Sequence, residues 1–447
     1  MLPIPTQSTY RLTNARIPAA LLADPESELI RQPIAHLSAS RLEEDLVAVE
    51  IEIRDGQIAA LYGQGDRSDS DLPSIDLKQG MVWPCFVDLH THLDKGHAWM
   101  RSPNPNGTFD DALDAAKGDK KHWDIEDLYR RMEFGLRCSY AHGTQAIRTH
   151  LDAGGDFFNS SLQAFLKLRE EWRDRISLQA VPLLPLDYYL TPEGEALADQ
   201  MAAHGGLLGG VSFGNPDLDE PLDRVFALAQ ERGLDLDFHT DESLNPDHQS
   251  LRAIAKTAIR RQFAGRIVCG HCCSLSVQSP EDADTTIRLV KEANIGIVSL
   301  PMCNLYLQDR HPGRMPRLRG VTLLHELKQQ QVPVAVASDN CRDPFHAYGD
   351  HDGLEVFAQS VKIAHLDRPH RDWCRTVTRT PAELMGLPQV GQIGTGLEAN
   401  LILFKARNFG ELLSRPQSDR TVIRNGKAID TTLPDYSELD DLMGDRV

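Results

Sequence analysis

The sequence predicts an α/β chain: a (β/α)₈ barrel with a small β-sandwich domain assembled from both termini. Three observations carry this expectation. Short apolar runs rich in Val, Ile and Leu recur from residue 81 onward between helical stretches, the pattern of parallel strands buried on both faces. Eight such runs occur, at 81–88, 145–150, 176–182, 207–213, 234–239, 266–271, 295–300 and 333–339. After the first, their starts fall mostly about 30 residues apart, the length of one strand-loop-helix unit, and 447 residues accommodate a single barrel with insertions.

The first interval is longer than the others. It holds the Pro/Asn/Gly-rich stretch RSPNPNGTF (101–109) ahead of an amphipathic helix near 124–141, and reads as an active-site loop rather than a linker. Residues 1–80 and 395–447 leave the strand-helix rhythm and show strand-like pieces at 47–54, 57–61, 399–404 and 421–423. They are expected to form the small β-domain, with 81–394 as the barrel. The acidic tail DYSELDDLMGD (435–445) reads as a solvated surface segment.

Composition narrows the class. With 41% hydrophobic and 25% charged residues the chain is an ordinary globular one, and no segment approaches 18 uninterrupted apolar residues, which speaks against a membrane span. The opening MLPIPTQSTYRLTNARIP lacks a basic patch followed by an apolar run, so no signal peptide is expected and the location reads as cytoplasmic. A formal charge of −18 repels a phosphate backbone, favouring a small neutral or cationic substrate over nucleic acid, although solubility alone accounts for it equally. Eight cysteines scattered through the chain are expected to be reduced, and the lone CxxC of Cys269 and Cys272 has no second pair to complete a structural zinc site. Assembly with further copies of the chain stays open.

In a barrel of this kind catalytic groups sit at the C-terminal ends of strands. The polar outliers fall there. His90 and His92 follow the first strand with a period of two, so their imidazoles face the same way; His239 closes the fifth strand, His271 the sixth and Asp339 the eighth. Histidines and a carboxylate converging on a barrel mouth suit one divalent ion, Zn²⁺ or Fe²⁺, both of which accept imidazole nitrogen and carboxylate oxygen.

Taken in order, FVDLHTHLDKG, DFHTDES, VCGHCCSL, NLYLQDR and VASDNCRDPF resemble the cytosine deaminase branch of the amidohydrolase superfamily over nearly the whole chain. The resemblance implies metal ligands at His90, His92, His239 and Asp339, a proton-shuttling glutamate at Glu242 and a water-orienting histidine at His271. Such residue types suit the chemistry. A divalent ion lowers the pKa of water from about 15.7 toward about 7. Asp339 can accept the water's proton, and Glu242 can protonate a ring nitrogen and then the departing ammonia. Two-metal relatives carry a carboxylated lysine at the end of strand four, where this chain reads LLGGVSFGNPD (207–217) without a lysine, so a single metal follows. The HxE and PCxxC plan of polynucleotide-editing deaminases is missing.

The pattern also departs from cytosine deaminase. Pro185 stands where a glutamine reads the pyrimidine edge, Asn340 replaces an aspartate and Phe345 a tryptophan. Lys95 together with Asn340 is similar to N-isopropylammelide hydrolase, a triazine-processing relative. Lys95 reads as a substrate contact or, equally, as a surface or salt-bridged lysine; Asn340, an amide in place of a carboxylate, reads as a substrate contact that changes which ring face can be hydrogen-bonded; Asn304 and Gln308 contact substrate or cap a loop; Trp99 and Phe345 stack on a planar ring or pack in a core. The leading expectation is hydrolytic deamination of an aminated pyrimidine, pterin or triazine. Its rivals are hydrolysis of an N-alkylamine or cyclic amide in the same site, and a catalytically silent barrel used as a binding module. Cytosine itself should be a poor substrate beside the best azine, because a site that leaves substrate polar groups unpaired discriminates by up to about 10⁴-fold. Steady-state kinetics check this, and cytosine turnover near a kcat/KM of about 10⁵ M⁻¹s⁻¹ would contradict it.

Overall fold

The computed structural model describes residues 4–31, 34, 37, 42–66, 72–155, 157–213, 215 and 217–444. Gly214 and Pro216 of the stretch after the fourth apolar run, and Asp445 at the end of the acidic tail, lie outside the described residues. The chain divides into two compact units, one of Met1–Val87, Cys138–Gln145 and Asp352–Leu433, the other of Asp88–Arg137, Ala146–His351 and Pro434–Val447.

All eight predicted apolar runs form strands. We label them β1 (Phe86–Thr91), β2 (Thr144–Asp152), β3 (Ser177–Leu183), β4 (Leu208–Val211), β5 (Leu236–Thr240), β6 (Ile267–His271), β7 (Ile295–Ser299) and β8 (Val334–Val336). Every residue of β2, β5, β6, β7 and β8 is buried, as expected of parallel strands covered on both faces. Strands β1 to β3 make one sheet, and β4 to β8 make a second, parallel one in sequential order.

The pairing corrects the expected closed barrel, because no continuous ladder runs round all eight strands. The edges of the two sheets meet only at isolated parallel bridges, Pro185 with Val211 and Thr91 with Asp339. Each seam has a local cause. Pro185 lacks the N–H that a ladder needs, so the contact reduces to Val211 N–H donating to Leu184 O at 2.8 Å. At the other seam Asp339 adopts φ +61°, which turns the chain out of strand geometry after Asp339 N–H has reached His90 O at 2.9 Å. Ser338 reinforces that seam by donating through Oγ to Asp88 Oδ2 at 2.5 Å.

The first run is also divided. Val82–Pro84 pairs antiparallel with Leu401–Leu403, in a sheet with Thr421–Arg424 and Lys427–Ala428, while Phe86–Thr91 goes to β2. A further sheet orders Gln57–Gly63, Leu46–Arg54, Thr9–Pro18 and Ser74–Asp76. Strands from both termini thus form two four-stranded sheets. Ser74–Asp76 and then Met81 lie along the same edge of Thr9–Pro18, so the chain passes from one sheet edge to the next. The core of this unit centres on Trp83, with the rings of Phe86, Phe357, Phe404 and Phe409 packed edge-on at 5.5–6.3 Å.

Among the described residues no helix is long and apolar enough to cross a membrane. The predicted amphipathic helix is Ile125–His142, and a shorter one, Phe109–Asp119, follows the Pro/Asn/Gly stretch with Thr108 as its N-cap. The acidic tail closes in a 3₁₀ turn, Tyr436–Leu442, capped by Asp435 and Glu438 and tied by Arg130 to Asp441 at 2.6 Å.

A buried ion pair in the first unit gives a measurable consequence. Arg420 engages both carboxylate oxygens of Asp352, which also caps helix Gly353–Ala364 by accepting from Leu354 N–H at 2.9 Å. Burial pushes the Asp352 carboxyl up, but the Arg420 guanidinium and these hydrogen bonds outweigh it and hold it below its ordinary value. The carboxylate therefore contributes stability in full above the unfolded-chain value of about 3.9, and loses it as pH falls through the depressed native value. Asp352→Asn should lower stability by about 3–5 kcal/mol at pH 7, because it strands a buried guanidinium. In denaturant titrations the deficit should narrow below about pH 4, and a deficit that stays constant with pH would contradict this.

Candidate active site

The site is built where strands end. His90, at the last turn of β1, and His92, two residues on, present their rings to the same side, and His239 on β5 and Asp339 after β8 meet them. His90 Nε2 lies 3.2 Å from His239 Nε2, and His239 Nε2 lies 3.1 Å from His92 Nε2. Asp339 Oδ1 stands 3.5 Å from His90 Nε2 and 3.3 Å from His92 Nε2. All four side chains are at most 4% exposed.

Such spacing tests the expected ion. Ligand bonds of about 2.0–2.2 Å in a tetrahedron place the donor atoms about 3.3–3.6 Å apart, close to the separations found here. The chemistry of the donors agrees. Burial, and then mutual repulsion among His90, His150, His239, His271 and His92, hold the His90 imidazole well below its usual range, and His92 and His239 follow, so each is a neutral ligand. Apart from the Cys303 thiol, neither oxygen of Asp339 has a hydrogen-bonding partner. Burial first, with Asp343 and Asp88, pushes its carboxyl up to about 7, and a cation among these groups would reverse that direction. These residues fit a divalent metal.

The surrounding chain fixes the rings. The His92 ring is held by a hydrogen bond with the His150 backbone. Gly270 on β6 admits the His90 ring, because a Cβ there would come within 2.9 Å of His90 Cε1. The HLDKG loop is held by the fully buried Arg131, which donates to Asp94 O at 2.5 Å and Gly96 O at 2.9 Å and is itself paired with Asp127 at 2.7 Å. Asp241, in the left-handed region at φ +47°, accepts from Ser250 and Leu251 N–H at 2.9 and 3.0 Å and so anchors the turn that carries Glu242.

Glu242 and His271 stand beside the four donors. Glu242 Oε1 is 3.3 Å from His271 Nδ1, and Asn304 Nδ2 reaches both, at 3.3 Å to Glu242 Oε1 and 3.0 Å to His271 Nδ1. Burial and the Asp339 carboxylate push Glu242 well above the usual carboxyl range, against the smaller opposing effects of Lys95 and Asn304. Burial and His150 pull His271 down to about 3, so the ring is neutral. With Asn304 donating to Nδ1, the His271 proton sits on Nε2, which has no protein partner.

A cavity of about 410 Å³ opens over these groups, lined by His92, His239, Glu242, His271 and Asp339, and by Lys95, Pro185, Asn340 and Phe345. Lys95 is buried rather than a surface lysine: Nζ pairs with Asp152 Oδ1 at 2.6 Å and lies 3.2 Å from His92 Nδ1. Burial pulls its ammonium down, but Asp152 and Asp94 outweigh this and raise it, so it stays charged. Asn340 donates to Asp343 Oδ2 at 2.7 Å, and Phe345 packs at 5.8 Å from Phe109. Neither Asn304 nor Trp99 is among the lining residues; Asn304 lies behind Glu242 and His271.

Two participants went unread in the sequence. His150, at the end of β2, stacks at 4.0 Å from His90 and offers a ligand atom alongside those of His90, His92 and His239, while its Nε2 lies 3.3 Å from Asp237 Oδ1. Asp152, two residues on, carries Lys95 and Lys120, the latter at 2.8 Å. The signal was a repeat: Thr-His-Leu-Asp occurs at 91–94 and again at 149–152, each time closing a strand.

Fold and site bring together an imidazole-rich cluster that could hold a metal ion, and comparison with known proteins places the chain. The amidohydrolase family model matches residues 74–127 and 121–430, so the chain belongs to the amidohydrolase family and is a hydrolase of non-peptide C–N bonds. It is similar to pterin deaminase of Rhizobium rhizogenes, at 48% identity over 445 residues and 98% of each chain. It is also similar to N-isopropylammelide isopropyl amidohydrolase of Pseudomonas sp. (strain ADP), at 25% identity over 79% of this chain and 87% of the relative. The solved 5-methylcytosine deaminase of Klebsiella pneumoniae superposes with a TM-score of 0.79 at 25% identity, covering 94% of this chain and 98% of that one.

Removing one donor should leave too few to hold an ion. His239→Ala is expected to lose the catalytic metal equivalent and turnover together, as read by elemental analysis and kinetics on one preparation. Full turnover with that equivalent retained would rule His239 out as a ligand.

Proposed function

We propose that this chain is a mononuclear metal-dependent deaminase that hydrolyses the exocyclic amine of an aminated nitrogen heterocycle, with a pterin-type ring as the leading substrate class. The observation that carries it is the juxtaposition, over one cavity, of the four closely spaced donors with Glu242 and the His271 Nε2–H. The full-length likeness to a pterin deaminase favours the pterin ring over the pyrimidine and triazine alternatives. The likeness to the solved 5-methylcytosine deaminase supports reading the eight strands as a barrel of the (β/α)₈ type whose two sheets meet at the Pro185–Val211 and Thr91–Asp339 bridges rather than in a continuous ladder. Eight buried cysteines, none joined in a disulfide among the described residues, suit the reducing cytoplasm.

His90, His92, His239 and Asp339 hold one ion, Zn²⁺ or Fe²⁺, since an N₃O donor set suits either. When bound, that ion supplies Lewis acidity that makes water nucleophilic at neutral pH. The water oxygen forms a bond to the ring carbon bearing the amine, and Asp339 accepts the water's proton. The neutral carboxyl of Glu242, favoured by its burial, protonates the adjacent ring nitrogen. His271 Nε2–H donates to the oxygen of the tetrahedral centre, in the tautomer that Asn304 sets. The C–N bond then breaks. Glu242, left as a carboxylate by the first transfer, takes the hydroxyl proton of the tetrahedral centre and delivers it to the leaving nitrogen, giving ammonia and a ring carbonyl, and the proton held by Asp339 then restores the neutral Glu242 carboxyl. Lys95, Asn340 and Phe345 line the substrate side, Phe345 offering a ring face to a planar heterocycle.

An ammonia-release screen over pterins, cytosine, isocytosine, guanine analogues and aminotriazines, with zinc- and iron-loaded protein, tests this reading. Ammonia from an aminated azine is expected, with pterins fastest. An alkylamine or ring-opened acid would transfer the assignment to the rival hydrolase, and no product from any compound would favour a silent binding module.

Glu242→Gln keeps size and hydrogen-bonding shape but removes the proton. Fold and metal content should survive, while kcat/KM falls by about 10⁴-fold, the upper end for general acid-base catalysis, or roughly 5.5 kcal/mol. A fall below about tenfold in metal-replete protein would mean that another group moves the proton.

A further inference from the structure

A second cluster of metal-seeking side chains lies outside the cavity. His97, Cys341 and His351 are each at most 5% exposed, and each offers one ligand atom, all within 4.8 Å of one another. His97 Nε2 and His351 Nε2 face each other at 3.3 Å, the same order of approach as the ring nitrogens of the catalytic set. None of the three lines the cavity.

The surroundings are shaped round this trio. Gly135 sits inside helix Ile125–His142, where glycine is disfavoured, and a Cβ there would come within 3.1 Å of His351 Nε2 and 3.2 Å of a Leu93 methyl. The glycine leaves the space that the imidazole occupies. The backbone N–H of His351 points at the Cys341 sulfur. His97 N–H donates to Cys341 O at 3.1 Å and Trp99 N–H to Arg342 O at 2.8 Å, so the loop after β1 is zipped to the loop after β8 beside the trio.

We propose that His97, Cys341 and His351 form a second metal site, structural rather than catalytic, which clips the loop of His92 and Lys95 to the loop of Asp339 and Asn340. Two imidazoles and a thiolate without a carboxylate select a thiolate-seeking ion, Zn²⁺ or Cu⁺, over Mg²⁺ or Ca²⁺. Three protein donors satisfy Cu⁺, whereas Zn²⁺ takes a fourth from solvent. On binding, the Cys341 thiol gives up its proton to solvent.

The test separates this site from the catalytic one. His239→Ala protein, dialysed against Zn²⁺ in one arm and against Cu⁺ under reducing conditions in another, should retain about one ion per chain, and the arm that retains it names the metal. Wild-type protein loaded with Co²⁺ as a spectroscopic probe should show a thiolate-to-cobalt charge-transfer band that Cys341→Ser abolishes, with metal content falling by about one equivalent. If Cys341→Ser does not fold, the band in wild-type and His239→Ala protein decides. The proposal is overturned if His239→Ala binds neither ion and Co²⁺-loaded wild-type protein shows no thiolate band; His97 and His351 then form only a ring-to-ring hydrogen bond.

Discussion

Three neutral imidazoles and a carboxylate, buried and turned toward a common point at 3.1–3.5 Å, form the constraint on which the rest of the catalytic unit depends. Without a cation the arrangement is costly. Lone pairs face lone pairs, and Asp339 is buried with no N–H or O–H to compensate its oxygens. Such crowding persists only where the framework over-determines it. The framework here comprises the buried ends of β1, β5 and β8, the gap left by Gly270 and the grip of Arg131 on the HLDKG loop. Asp241, His271, Cys272 and Asp339 all adopt left-handed backbone conformations, φ +47° to +65°, so the strand ends are bent to aim their side chains.

Around this centre charges are sorted by partner. Lys95 keeps its charge in a buried position because Asp152 and Asp94 face it, and Asp152 in turn is held below its ordinary value, burial being outweighed by Lys95 and Lys120. Glu242, with Asp339 as its near neighbour, is driven the other way and favours its protonated form. Two carboxyl groups of the same cavity wall, Asp152 and Glu242, are thus pushed apart in acidity, one held as an anion and the other favouring its neutral form.

Much of this was legible in the sequence because burial on both faces gives a strand a continuous apolar run, and a polar residue ending such a run is conspicuous. His90, His92, His239, His271 and Asp339 were read that way, and the structure gathers them. His150 ends a strand too, but it was not read, since only the internal Thr-His-Leu-Asp repeat sets it beside His92. Other features are set by contacts distant in sequence. Whether Lys95 is exposed or paired depends on Asp152, 57 positions away by its number, and the place of Asn304 behind the histidine and glutamate depends on how β5, β6 and β7 align. The seams at Pro185 and Asp339, and the division of the first strand at Cys85, follow from a missing donor, a left-handed residue and an antiparallel partner more than 300 positions on, none of which leaves a periodic trace.

The most direct measurement is an anomalous difference map at the zinc or iron edge from crystals of the native protein. The geometry predicts one peak within about 2.0–2.2 Å of the Nε2 atoms of His90, His92 and His239 and of an Asp339 carboxylate oxygen. No peak among those four donors in protein that turns over an azine, with their atoms still 3.1–3.5 Å apart, would show that the crowding is held by hydrogen bonding alone and that the reaction does not depend on a metal there.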